Sequence, residues 1–217
     1  MAPATSFSLF IEQLSERLKD PLPGEAAHFN MEALSAKYLG VTPNEHTRKS
    51  AVLMVLYPCG KKVCFPLILR RSYNGFHSGE ISLPGGKYEL GDEDLIQTAL
   101  REANEETDLS AHQVKILGTL TEIYIAPSNF TVLPVIGYVA YRPIFKPDAR
   151  EVAQLFEVEL DHFADPEMTG ISEITISGDL VLTPYYDLEG YKVWGATAKI
   201  INELLSVVGS NNINIKK

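Results

Sequence analysis

The sequence predicts an α/β fold, with one main domain and a small helical extension at its N-terminal side. Three observations carry this. Apolar runs of strand length alternate along the chain with segments whose apolar residues recur at helical spacing. Two of those runs flank Pro58-Cys59-Gly60, the signature of a β-hairpin. The 217 residues are 45% hydrophobic and 22% charged, the balance of a chain that buries a core without disulfides or metal staples. The expected division is an extension over residues 1–48 and a domain over 49–217.

Each element follows from its pattern. Phe7, Phe10, Ile11, Leu14 and Leu18 lie on one helical face, and Pro21 and Pro23 end that helix. Pro43-Asn44 marks a turn. Ser50–Tyr57 and Val63–Arg70 are the hairpin strands, and Pro66 implies an edge or a bulge in the second. Residues 71–91, rich in Gly, Ser, Tyr and His, are expected to form a long functional loop. A helix follows over Asp94–Thr107. Strands are expected at 114–124, 130–141, 155–160 and 174–186, with a short helix over Asp148–Gln154. The last helix covers Gly195–Val208 and stops at Gly209.

Composition excludes several roles. The formal net charge of −9 argues against broad coating of nucleic acid, though an anionic small molecule can still be held locally by basic side chains and metal. Cys59 and Cys64 form neither CxxC nor half of a zinc set, so two reduced thiols in or near the hairpin are expected. No stretch approaches the roughly 20 apolar residues of a spanning helix, and the first residues lack the basic start and apolar core of a secretory signal. A cytoplasmic protein with no membrane partner is therefore expected.

The chemical signal lies between Gly85 and Leu109. At about 100° per residue, Glu102, Glu105 and Glu106 share one face of the predicted helix, while Leu95, Ile96, Ala99, Leu100 and Ala103 form the other. Three carboxylates at i, i+3 and i+4 repel one another, and the C-terminal end of a helix dipole disfavours them further. Two readings are open: a solvated acidic face, or a cation site. Oxygen donors without His or Cys suit Mg²⁺ or Mn²⁺. The glycines just before the helix favour the second reading, because bare backbone can approach phosphate or offer a carbonyl to metal.

Arg101-Glu102-Ala103-Asn104-Glu105-Glu106-Thr107, with Leu109 after it and Glu93 and Gly86 before it, resembles the Nudix box. Six residues rather than five separate Gly86 from Glu93, and Asp108 replaces the terminal glycine, a left-handed position that Asp tolerates. The resemblance implies an α/β/α sandwich around a mixed β-sheet and metal-dependent attack of water on a diphosphate. It implies Glu102, Glu105 and Glu106 as metal ligands, Glu106 the central one, with the Gly86 carbonyl as a backbone ligand. Arg101 and Glu93 are implied as an orienting ion pair, and Glu151 as an additional metal-binding or base glutamate outside the box.

Upstream, Leu67-Ile68-Leu69-Arg70-Arg71-Ser72 and Gly75-Phe76-His77-Ser78-Gly79-Glu80-Ile81-Ser82-Leu83-Pro84-Gly85-Gly86 resemble the signature of coenzyme A diphosphatases, and the longer box loop is typical of that subgroup. A Leu-Arg pair usual in that signature is missing near Gly75-Phe76. The implied activity is hydrolysis of coenzyme A or its derivatives to 3′,5′-ADP and 4′-phosphopantetheine, with Arg70, Arg71, Lys87, Gly79 and Gly85 binding substrate. His77 is expected to fix the loop by hydrogen bonding, Trp194 to pack, and Tyr73, Phe76 and Tyr88 are candidates for adenine or pantetheine contact. The missing arginine keeps ADP-ribose or another nucleoside diphosphate derivative as an alternative. A non-catalytic nucleotide-sensing module is the alternative of another class, and a homodimer is the expected assembly if the chain associates.

Overall fold

The structure is a computed structural model that describes residues 6–33, 40–72, 77–176 and 178–209. Its centre is β1 (Arg48–Cys59), which turns through Gly60 (φ +63°) into β2 (Lys62–Arg70). On its other side β1 runs parallel to β7 (Phe130–Tyr138), from Arg48 opposite Phe130 to Leu56 opposite Tyr138. A strand covered on both faces reads as an unbroken apolar run, which is why Ala51–Tyr57 shows no polar alternation. Ala51, Leu53, Val55 and Tyr57 pack with Ala99 and Ala103 of the helix Leu95–Thr107. Met54 and Leu56 face the opposite layer, built by the first helix α1 (Ser6–Arg17) and the last, Gly195–Val208. The short α2 (Glu25–His28) follows α1, so the two longer helices are α3 and α4 in chain order. The result is an α/β/α sandwich.

The main sheet runs β3 (Ile81–Ser82), β2, β1, β7, β5 (Lys115–Thr119). The strand β4 (Gly85–Lys87) pairs with β1, β6 (Ile123–Ile125) with β7, and β8 (Val152–Glu159) with β2. All these pairings but β1–β7 are antiparallel, so the sheet is mixed. A second sheet holds β9 (Thr169–Ile176), β10 (Asp179–Leu188) and β11 (Tyr191–Trp194).

Several boundaries differ from the sequence expectation. The helix expected over Asp148–Gln154 is a turn followed by β8, because the free side of β2 takes a strand there, with Arg70 opposite Val152. Burial of Val152, Phe156 and Val158 follows the two-residue period of a strand. The strand expected at 174–186 is a hairpin: β9 and β10 pair across a turn containing Gly178 (φ +87°). The run 114–124 splits into β5 and β6. The loop 71–91 contains β3 and β4. Pro66 lies beyond Cys64, the last β2 residue paired with β1, so it removes no hydrogen bond from that ladder. Cys59 and Cys64 sit in the hairpin as free thiols, and burial raises the Cys64 pKa. No described helix is long and apolar enough to cross a membrane.

The N-terminal segment is tied to α4 by a buried carboxylate. Glu203 is fully buried and accepts hydrogen bonds from His28 Nε2 (2.8 Å), Thr121 Oγ1 (2.6 Å), Thr121 N (3.3 Å) and Gly24 N (3.2 Å). Desolvation pushes its pKa up, but the bonds from His28 and Thr121 outweigh that and leave it lowered. A lowered carboxylate pKa stabilises the fold above the unfolded value of about 4.3 and loses that contribution as pH falls through the folded value. Glu203→Ala orphans four donors and is expected to cost about 3 kcal/mol in urea unfolding at neutral pH, with a smaller deficit in acid. An equal deficit at both pH values contradicts an ionised Glu203.

Candidate active site

The α3 helix starts where Asp94 Oδ1 accepts the Gln97 N–H at 2.8 Å, an N-cap bond. It ends at Asp108, which takes the left-handed conformation (φ +59°) and whose N–H reaches the Asn104 carbonyl at 2.8 Å. Its small alanines lie on the sheet, so Glu102, Glu105 and Glu106 point away from that packing, toward β4 and solvent.

Two glycines let β4 approach. A Cβ on Gly85 would lie 2.4 Å from the Ala51 carbonyl oxygen, and one on Gly86 would lie 2.3 Å from Glu102 Oε2. The absent side chains bring the backbone against both β1 and the box carboxylates. The Gly85 N–H donates to Glu106 Oε2 at 2.8 Å, and Arg70 Nη1 donates to Glu106 Oε1 at 3.1 Å. Glu106 is 1% exposed. Burial pushes its pKa up to about 7, against the pull of Arg70 and the Gly85 N–H and with the help of Glu102 and Glu151. Glu102 is raised by burial too; Arg101 opposes this, and Glu105 and Glu151 add to it.

Glu151 reaches this group through backbone. The last carbonyls of a helix need donors from elsewhere. Here Asp148 N–H donates to Glu106 O (3.0 Å) and Lys146 N–H to Thr107 O (2.9 Å), so the segment leading to Glu151 caps α3. Arg71 N–H then holds the Glu151 carbonyl at 2.9 Å.

The ion pair expected between Arg101 and Glu93 forms with Asp92 instead. Arg101 Nε donates to Asp92 Oδ1 (2.9 Å) and Nη2 to Oδ2 (3.0 Å), a bidentate pair. Asp92 is buried and also accepts from Thr98 Oγ1 (2.8 Å) and Glu89 N (3.0 Å). These bonds, Arg101 first, hold its pKa well below the usual carboxylate range. Glu93 is exposed. The signal was present in the spacing: five residues separate Gly86 from Asp92, six from Glu93. Arg101 Nη1 continues to Glu102 Oε1 (2.9 Å) and Glu105 Oε1 (3.4 Å), and Nη2 to the Lys87 carbonyl (3.0 Å). One guanidinium thus spans β4, the loop and two box carboxylates.

The upstream residues divide between this cluster and a neighbouring cleft. A cleft of about 440 Å³ is lined by Arg70, Arg71, Ser72, Gly79, Ala153 and Tyr191. Arg70 joins the two regions. Gly85 lies on β1 and Glu106 rather than among these lining residues. Lys87 is exposed at the end of β4, with Tyr88 beside it, whose hydroxyl donates to the Asp92 carbonyl (3.2 Å). His77 bonds Glu80 Oε2 (3.0 Å) and Ser128 Oγ (3.2 Å), the loop-fixing geometry. Trp194, half-buried, is the N-cap of α4. Tyr73, Phe76 and the departure near Gly75 lie outside the described residues. Sequence reasoning missed Tyr191, which no motif marks.

Among the described residues no three carboxylates, thiols or imidazoles converge in a ready-made metal cage. The donor chemistry nevertheless fits a hard divalent cation. Glu102 and Glu106 offer only oxygen, their pKa values are raised by burial and by neighbouring carboxylates, and Gly86 leaves backbone beside Glu102.

Comparison with known proteins agrees with this geometry. The NUDIX domain profile matches residues 47–174. An uncharacterized Nudix hydrolase, NudL, of Pectobacterium atrosepticum is 36% identical over 171 residues, 75% of this chain and 83% of that protein. The peroxisomal coenzyme A diphosphatase NUDT7 of Mus musculus is 34% identical over 160 residues, 71% of this chain and 67% of that protein. Among solved structures, a MutT/nudix family protein from Enterococcus faecalis superposes with a TM-score of 0.53 at 12% identity, covering 91% of this chain and 78% of that one.

Proposed function

This chain belongs to the Nudix hydrolase family, and on that premise we propose that the diphosphate it hydrolyses is that of coenzyme A or its derivatives. The enzyme is a pyrophosphohydrolase, and hydrolases of this family generally need a divalent metal ion. One observation carries the substrate reading: Arg70, Arg71, Ser72 and Gly79, all from the upstream stretch, line one cleft that borders the buried Glu106. The mouse relative, a coenzyme A diphosphatase, supports it. The products in this reading are 3′,5′-ADP and 4′-phosphopantetheine.

In this reading Glu102, Glu105, Glu106 and the Gly86 carbonyl hold Mg²⁺ or Mn²⁺. Such an ion would supply charge neutralisation at the diphosphate and a lowered pKa for the attacking water. Arg101, anchored on Asp92, orients Glu102 and Glu105. Glu151, exposed beside them, takes the proton of that water at its carboxylate. Arg71 and Lys87 bind phosphoryl oxygens by charge-assisted hydrogen bonds. Residues 1–48 serve as an extension of the domain over 49–217, a view supported by the burial of Phe7, Phe10, Ile11 and Leu14 and by the bonds of Gly24 and His28 to Glu203. The reading includes a cytoplasmic setting, a small-molecule nucleotide as partner and a homodimer as the assembly to test.

The experiment is a substrate panel with Mg²⁺ or Mn²⁺: coenzyme A, dephospho-coenzyme A, ADP-ribose, NADH and diadenosine polyphosphates, with products read by mass. Preference for coenzyme A over its dephospho form is expected. Preference for ADP-ribose overturns the substrate reading and keeps the chemistry, and binding without turnover of any member favours a sensing module.

A further inference from the structure

We propose that Tyr191 is a specificity-determining residue that stacks on the adenine of the substrate, so that the β10–β11 hairpin, outside the matched span 47–174, forms a wall of the active site. The proposal deepens the coenzyme A reading and rests on it for the identity of the substrate.

The cleft combines two kinds of surface. Arg71 and Ser72 supply hydrogen-bond donors, and Tyr191 supplies the only aromatic ring among the described lining residues. Cationic side chains beside an aromatic platform suit a nucleotide, whose phosphates take the donors and whose base takes the ring. The volume of about 440 Å³ lies in the range of small-molecule sites.

The ring is also held in place. Glu189 (φ +54°) and Gly190 (φ +87°) both adopt left-handed conformations, which is the two-residue hairpin turn that matches strand twist. The Gly190 N–H bonds the Asp187 carboxylate at 3.2 Å. Tyr191 is the first residue after this turn and pairs with Leu188. Its ring meets Phe156 of β8 edge-on, with centroids 5.4 Å apart and an interplanar angle of 65°. Phe156 thus buttresses Tyr191, which stays 38% exposed where it lines the cleft. A preset ring loses little freedom on binding.

The test compares Tyr191→Phe with Tyr191→Leu in the full chain, both checked for an unchanged Tm. Base stacking predicts that Tyr191→Leu raises KM for coenzyme A about tenfold, with kcat within about twofold, while Tyr191→Phe matches wild type. Equilibrium binding of 3′,5′-ADP by calorimetry should weaken about tenfold in Tyr191→Leu and stay unchanged in Tyr191→Phe. Wild-type affinity in Tyr191→Leu overturns the proposal, as does a loss of kcat at constant KM. If the wild-type enzyme prefers ADP-ribose, the coenzyme A reading fails. The same Phe–Leu contrast with ADP-ribose, which also carries adenine, then decides Tyr191. A wild-type protein that binds no adenine nucleotide overturns both.

Discussion

Glu106→Gln lowers kcat roughly a thousandfold, about 4 kcal/mol of transition-state stabilisation, and leaves the protein folded. Glu106 is the most deeply buried of the box carboxylates and the one whose charge is hardest to keep, with a pKa pushed up to about 7. In the proposed reading a bound cation accounts for a buried carboxylate held by only one arginine and one N–H. The amide keeps an oxygen for the Gly85 N–H and removes the charge, so Tm should move only a few degrees. The metal response supplies a second readout. Addition of Mn²⁺ should raise the wild-type Tm by mass action, and this increment should be lost in Glu106→Gln. Protons compete with the cation for a carboxylate of raised pKa, so the wild-type increment should shrink from about pH 8 to about pH 6. A variant with full activity and an intact Mn²⁺ response removes Glu106 from the ligand set.

Asp92→Ala is expected to cost about 3 kcal/mol and to lower Tm by roughly 6–12 °C, whereas Glu93→Ala is expected to change Tm by less than about 2 °C. Asp92 is buried and bonds both ends of the Arg101 fork together with Thr98 and Glu89; Glu93 is exposed. Without Asp92 the guanidinium keeps Glu102 and Glu105, and their charges are diverted from any cation. Activity at low metal concentration should therefore fall further than stability does, and excess Mn²⁺ should restore part of it. Thermal unfolding and a metal titration of both variants check this. If Glu93→Ala proves the damaging change, the ion-pair assignment is wrong.

The two variants bracket what could be read from sequence. The α3 helix was legible to within one residue, because the apolar face has a helical period and Asp108 can take the left-handed stop; Asp94 proves to be its cap. The carboxylate face followed from that periodicity, and α4 likewise from its apolar stripe. The Arg101 partner was not legible from the helix alone, since a one-residue difference in loop length decides whether Asp92 or Glu93 meets the guanidinium. Residues 148–154 were misread for a different reason. The segment bonds the end of α3 and then joins the free side of β2, and both demands come from tertiary structure. Tyr191 belongs to a short strand on a separate sheet, and only the folded chain brings it to Arg71.

The parallel register of β1 on β7 has a kinetic consequence. Arg48 lies opposite Phe130, so the pairing closes a loop that contains β2, β4, α3 and every box residue. Closing so long a loop costs entropy before any contact rewards it, and the cost rises with the logarithm of loop length. Chains dominated by such distant pairings fold slowly. The carboxylates are carried by β1, on which Gly85 and α3 sit, but α3 also packs on Val135 of β7, so its seat is complete only after this closure. A substitution that weakens β7, far from any carboxylate, should then delay the appearance of activity during refolding without altering the activity finally reached.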